Sequence, residues 1–206
     1  DLQKKFPQAE IIVVDDGSTD GTGDVARDAG AIVVRHPVNG GYGKSLKDGI
    51  LQAKNDIIVI TDADGSYPFR GISDLLCLFE QGFDMVVGAR SGREYRGSFF
   101  KMPARIILKW LVEFTTGRKI PDINSGLRVF RKSEAMRYFP DLCNGFSFTT
   151  TITLIYMLTG KYVAYTPIAY LKRVGQSKVR IIRDSLRTLQ YITETVVRYN
   201  PLKFFL

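Results

Sequence analysis

The sequence predicts an α/β fold in which a mostly parallel sheet is flanked by helices. Continuous β-branched runs recur at IIVVD (residues 11–15), AIVVR (31–35), IIVI (57–60) and DMVVGA (84–89). Runs without polar alternation suit strands covered on both faces. Helical stretches separate them with short connections, the order of a doubly wound sheet. With 206 residues, 45% hydrophobic and 24% charged, the chain can bury one full core.

Glu10 to Asp15 reads as the first strand. The next residues, Asp15-Asp16-Gly17-Ser18-Thr19-Asp20-Gly21-Thr22, form a small polar turn in which Ser18, Thr19 or Asp20 can cap a helix over 22–29. A strand at 31–35 leads to Asn39-Gly40-Gly41-Tyr42-Gly43-Lys44-Ser45, which opens a helix to about residue 54. The strand at 57–60 precedes a helix at 70–81, and 84–89 is the next strand. After Arg90 the pattern changes. Ser91 to Gly97 is a polar loop. Residues 99–116 form an apolar helix carrying Trp110, suited to the core or to a membrane surface. Pro121 to Phe130 is a turn entering a short strand, 146–159 a helix and 162–165 a strand. Residues 179–199 show Ile182, Leu186, Leu189, Thr193 and Val196 at helical spacing, with Arg180, Arg183, Arg187 and Arg198 opposite.

The net charge is +8 and sits late in the chain. From Lys161 onward nine Lys and Arg oppose Asp184 and Glu194, a net of +7. Such a region is either a solvated face or the seat of an anionic partner. Its basic residues interleave with an apolar face and match no nucleic-acid module, which argues against nucleic acid. Cys77 and Cys143 fit no metal or redox spacing, and Cys77, inside LLCLF, is expected as a buried thiol. No apolar run reaches the ~18 residues of a membrane span. The chain opens at Asp1 within what reads as a helix end and stops in the apolar stretch after Pro201, so it reads as a piece of a longer protein.

Chemistry concentrates at Ile57 to Pro68. The strand stops on Thr61-Asp62-Ala63-Asp64-Gly65, and alternation points Asp62 and Asp64 the same way at its C-terminal edge. Ligands of open α/β sheets sit at that edge. Two carboxylates there can hold a hard divalent cation, and the cation a diphosphate; a plain acidic turn is the alternative. Asn39 to Ser45 is not a nucleoside-triphosphatase loop, because G-x-x-x-x-G-K-[ST] needs Gly where Val38 stands. Its glycines still permit close approach of a ligand and a helix begins there, which makes Gly43 and Lys44 candidates for binding phosphate. A phosphoacceptor receiver built on Asp15, Asp16 and Asp62 would leave the second half of the chain without a place.

VVDDGSTDGT (13–22), TDADGSYP (61–68), VVGAR (86–90), DINSGLRVF (122–130) and YLKRVGQSKVR (170–180) together resemble the family-two glycosyltransferases. The resemblance is strongest to the polyprenyl-phosphate branch that includes dolichyl-phosphate mannosyltransferase, and it covers nearly the whole chain in order. It implies the GT-A fold, a nucleotide-sugar donor of the GDP-mannose or UDP-glucose type, Mg²⁺ or Mn²⁺, and a polyprenyl or dolichyl phosphate acceptor at the cytoplasmic face of a membrane. It puts Asp15 or Asp16 on the nucleobase or ribose and Asp62 and Asp64 at the D-x-D metal site. It makes Asp122 to Arg128 the acceptor and catalytic loop, and Lys172, Arg173, Lys178 and Arg180 a basic loop meeting phosphates. Residues 1–90 then form a nucleotide-sugar half, 91–178 an acceptor half and 179–206 a basic amphipathic helix near the membrane, all within one domain. Many relatives carry Gln where Ser66 stands, so a shorter hydroxyl or a water fills that place. The family's first strand would lie before Asp1.

The implied reaction moves a hexose onto a lipid phosphate, which is already ionised at pH 7 and needs no strong base. The single histidine, His36, then needs no catalytic role. Asp64, with Asp62, stabilises the leaving diphosphate through the metal, and Arg90 and Arg128 can bond its oxygens unless each serves a structural ion pair. A glycan hydroxyl acceptor would instead need a carboxylate base. Asp122 is the candidate, with an Asx bond in the PDINSG turn as its structural alternative. Inversion at the anomeric carbon follows from the resemblance. A non-catalytic module binding sugar nucleotide or membrane is a third reading.

Overall fold

The structure is a computed structural model that describes residues 2–92, 102–172 and 181–205. Its elements are α1 (Leu2–Lys5), β1 (Ile12–Asp15), α2 (Thr22–Asp28), β2 (Ile32–Arg35), α3 (Tyr42–Gln52), β3 (Ile57–Ile60), α4 (Arg70–Phe79) and β4 (Met85–Ser91). Then come α5 (Met102–Thr116), β5 (Arg128–Arg131), α6 (Lys132–Met136), α7 (Phe148–Leu158), β6 (Val163–Ala169), α8 (Ile181–Tyr199) and α9 (Leu202–Phe205). The α/β alternation expected through residue 91 is present.

The strands form a parallel pair, β1–β2, and a four-stranded sheet ordered β3-β5-β4-β6. β4 and β6 pair in parallel from Met85–Val163 to Ser91–Ala169. β5 runs antiparallel to both its neighbours, so Val129 lies between Val59 and Val86. A strand from the second half therefore completes the sheet of the first. The four residues of β5 carry no directional signal. The long connection through α5 lets them enter in the antiparallel sense.

Two apolar helices take opposite positions. α7 is buried from Phe148 to Met157. Its threonines are tolerated there because Thr151 and Thr153 donate to the carbonyls of Ser147 and Thr149 at 2.8 and 2.7 Å. α5 buries Val112 but leaves Ile106, Ile107, Trp110 and Phe114 exposed by 60, 62, 61 and 46%. The face of α8 is also rotated from expectation: Ile192, Thr195 and Val196 are buried, whereas Leu186 and Leu189 are exposed. Cys77 is exposed rather than buried. α4 buries Ile72, Leu75 and Phe79, and residue 77 falls on the other side of the helix. No helix among the described residues is long and apolar enough to cross a membrane.

Candidate functional site

Asp15 ends β1 with its side chain buried. It accepts the Ser18 amide at 2.9 Å and Arg35 Nε at 3.1 Å. Bonds from Ser18, then Arg35, hold its carboxyl below the usual range. Asp16 accepts the amides of Gly40 and Gly41 at 2.7 and 3.0 Å and lies 2.7 Å from His36 Nδ1. Burial opposes its ionisation, but the bonds from His36, Gly40 and Gly41 outweigh burial and lower its pKa. His36 Nε2 lies 2.9 Å from Asp48 Oδ2, at ion-pair distance but outside hydrogen-bond alignment. Gly17, at φ +74°, must be glycine, because a Cβ would stand 2.7 Å from the Val38 carbonyl carbon. The result is an open depression of about 600 Å³ lined by Gly17, Ser18, Thr19, Asp24, Arg35 and His36. Asp15 and Asp16 lie behind this wall and shape it, and Arg35, a residue the motifs did not single out, is half exposed on it.

The glycine stretch corrects an expectation. A Cβ on Gly43 would stand 2.3 Å from the Cys143 carbonyl oxygen, and one on Gly41 2.7 Å from that of Asn144. The close approach these glycines permit is thus to residues 143–145. The Lys44 amide donates to the Asn144 carbonyl at 3.0 Å, and its ammonium pairs with Asp48 at 2.8 Å. Gly43 is thereby used in packing α3, and the half-exposed Lys44 ammonium is engaged by Asp48.

At the end of β3 the D-x-D carboxylates are oriented by hydroxyls. Tyr42 Oη donates to Asp62 Oδ1 at 3.2 Å. Burial, then the neighbouring Asp62 charge, pushes the Tyr42 hydroxyl well above its ordinary pKa. The Ser66 hydroxyl and amide donate to Asp64 Oδ1 at 2.5 and 3.0 Å. Ser66 is buried, and it orients Asp64 where a ligand role had been expected. Residues 122–128 close over this edge. A Cβ on Gly126 would lie 2.8 Å from both Asp62 oxygens, and the Gly126 amide donates to Tyr67 Oη at 2.7 Å. Leu171 donates its amide to the Ser66 carbonyl at 2.9 Å, which brings the exposed Lys172 beside the turn.

Asp122 and Arg90 meet in a two-pronged pair, Nε to Oδ2 at 2.6 Å and Nη2 to Oδ1 at 2.8 Å. Asp122 also accepts the Asn124 amide at 3.1 Å, the Asx bond of the turn. A buried carboxylate so engaged is poorly suited to act as a base. Arg128 is fully buried. Its guanidinium donates to the carbonyls of Ser125 and Ile123 at 2.8 and 2.7 Å and to the Thr153 hydroxyl at 2.5 Å. Burial lowers its pKa. It braces the 122–128 loop from beneath, out of reach of a phosphate. Arg173, Lys178 and Arg180 lie outside the described residues. No sequence signal pointed to Tyr42 or Tyr67, because their partners lie 20 and 59 residues away.

The donor set at 62 and 64 is all oxygen, which suits a hard cation. Among the described residues no group of three or more His, Cys, Asp or Glu stands ready to hold a metal. An ion held by this pair would take its remaining ligands from phosphate oxygens and water.

Residues 2–139 match the family model for glycosyl transferase family 2. The chain is similar to an undecaprenyl-phosphate 4-deoxy-4-formamido-L-arabinose transferase of Edwardsiella ictaluri, 29% identical over 95% of this chain and 60% of that protein. It is also similar to a dolichyl-phosphate hexose transferase of Haloferax volcanii, 28% identical over 84% of this chain and 74% of that protein. The chain thus spans about 60% of the length of the first relative. Among solved structures it resembles a mannosyl-3-phosphoglycerate synthase from Rubrobacter xylanophilus, with a TM-score of 0.66 and 21% identity over 99% of this chain and 67% of that one. A glucosyl-3-phosphoglycerate synthase from Mycobacterium tuberculosis, in complex with Mn²⁺, UDP-glucose and phosphoglyceric acid, gives 0.65 and 21% over 89% and 67%. These likenesses carry the GT-A fold. With the family model matching two-thirds of its residues, the chain belongs to glycosyl transferase family 2.

Proposed function

We propose that this chain is the catalytic domain of a divalent-metal-dependent transferase that moves a hexose from a nucleotide-diphosphate sugar to a polyprenyl or dolichyl phosphate. The observation that carries the reading is the D-x-D edge, where Asp62 and Asp64 are oriented by Tyr42 and Ser66 beneath the 122–128 loop. Asp62 and Asp64 would hold Mg²⁺ or Mn²⁺, which when bound supplies Lewis-acid stabilisation of the leaving diphosphate. The depression over Arg35 and His36 offers a place for the nucleoside, with residues 1–90 serving the donor and 91–178 the acceptor. A phosphate acceptor suits a site whose Asp122 is occupied by Arg90, since no base is required. The names of the polyprenyl-phosphate relatives support the same acceptor.

A lipid phosphate lies at a membrane surface, and we assign α5 to that surface, at the cytoplasmic face. Its exposed Ile106, Ile107, Trp110 and Phe114 form an apolar ridge, with Lys203 5.6 Å over the Phe114 ring and Lys109 half exposed beside it. An apolar ridge edged by lysines complements an anionic bilayer.

The test is calorimetry of GDP-mannose and UDP-glucose with and without Mn²⁺, on the whole protein and on D64A. Metal-dependent binding of one donor, lost in the variant, is the expected result. Transfer of the bound sugar to an oligosaccharide but not to a polyprenyl phosphate would replace the acceptor assignment, and binding without transfer to either would leave a non-catalytic sugar-nucleotide module.

A further inference from the structure

We propose that Tyr42 is a positioning residue for the D-x-D pair, holding Asp62 in the orientation that presents its carboxylate at the edge of β3. The inference rests on the metal-binding reading of Asp62 and Asp64. Tyr42 is the first residue of α3, 20 positions from its partner, and its hydroxyl donates to Asp62 Oδ1 at 3.2 Å. The backbone that carries it is pinned on both sides. Gly41 donates its amide to Asp16 and packs on the Asn144 carbonyl, and Gly43 packs on that of Cys143. Its ring is stacked against Phe146, with centroids 6.0 Å apart and planes 18° apart.

The second hold on Asp62 comes from the opposite half of the chain. The Asp62 carboxylate lies against Gly126, where any side chain would meet both oxygens at 2.8 Å. Hydroxyl and glycine together limit the rotation of Asp62, so its geometry is set before a cation arrives. The glycine stretch at 40–43 thereby acquires a role. It fixes the first turn of α3 so that Tyr42 reaches the metal edge.

The measurement is titration of the whole protein with UDP and with GDP, each with and without Mn²⁺, alongside thermal unfolding. Y42F removes one hydroxyl and nothing else. It is expected to unfold within a few degrees of the wild type, the cost of one hydrogen bond, and to keep metal-free nucleotide affinity. The Mn²⁺-dependent gain in nucleotide affinity should fall about fivefold, the worth of one ordinary hydrogen bond. G126A, which pushes on Asp62 from the other side, should reduce the same gain further. If D62A loses the gain while Y42F and G126A keep it in full, Tyr42 only packs and the proposal is overturned. If the wild type shows no gain, or D62A retains it, the metal reading itself fails and takes the proposal with it.

Discussion

Two acidic turns follow strands in this protein, one paired in parallel and one antiparallel, and they are held in different ways. After β1, Asp15 and Asp16 are tied to backbone amides, Arg35 and His36. After β3, Asp62 meets the Tyr42 hydroxyl and the bare Cα of Gly126, and Asp64 meets the hydroxyl and amide of Ser66. The first arrangement turns carboxylates into struts that hold a loop. The second sets the direction of carboxylates at an edge. Similar strings of Asp, Gly and Ser thus serve as scaffold in one place and as candidate ligands in the other.

The largest effect should come from the second turn. D64A is expected to lower sugar transfer about a thousandfold, the several kcal/mol that Lewis-acid catalysis supplies, while the buried Ser66 donors left without their acceptor cost only about 1–3 kcal/mol of stability. An equal fall in stability would make Asp64 a strut like Asp16 and erase the contrast. R128M comes next. It keeps the volume but leaves the Ile123 and Ser125 carbonyls and the Thr153 hydroxyl without their donor. Denaturant unfolding should show a loss of at least about 3 kcal/mol, since each buried unsatisfied group costs about 1–3 kcal/mol.

G43A probes the first region. Its new methyl collides with the Cys143 carbonyl, so thermal or urea unfolding should report a loss of about 1–3 kcal/mol with no ligand present. Unchanged stability with lost donor binding would restore the phosphate-cradle role. The smallest effect is a pH dependence. Asp16 has a lowered pKa in the fold, so its contribution is present above the unfolded value of about 3.9 and fades as pH falls through the folded value. The difference in unfolding temperature between wild type and D16N should therefore be constant above about pH 5 and shrink below about pH 4.

Much of this architecture was legible in advance. The β-branched runs, the polar turns after β1 and β3 and the position of the D-x-D pair depend on near neighbours in the chain, and they stand where the residues imply, although α2 is capped by Gly21 with no side-chain bond where Ser18, Thr19 or Asp20 was expected. The helical faces were harder. α5 is apolar enough for several rotations and α8 carries apolar residues beyond one stripe, and which of them are buried depended on where α7 and the sheet lie. Asp122 and Arg90 were each recognised as chemically capable, yet 32 residues separate them, and only folding makes each the other's partner.

By itself the sequence determined the alternation of strand and helix, the polar strand ends and the family, because short-range sterics and hydrophobic pattern act along the chain. Tertiary structure alone decided that Gly43 faces Cys143, that Gly126 backs Asp62, that β5 enters antiparallel and that Arg128 lies in the core. Each of these depends on a distant segment filling a gap or satisfying a buried group, and local propensity holds no record of such a contact.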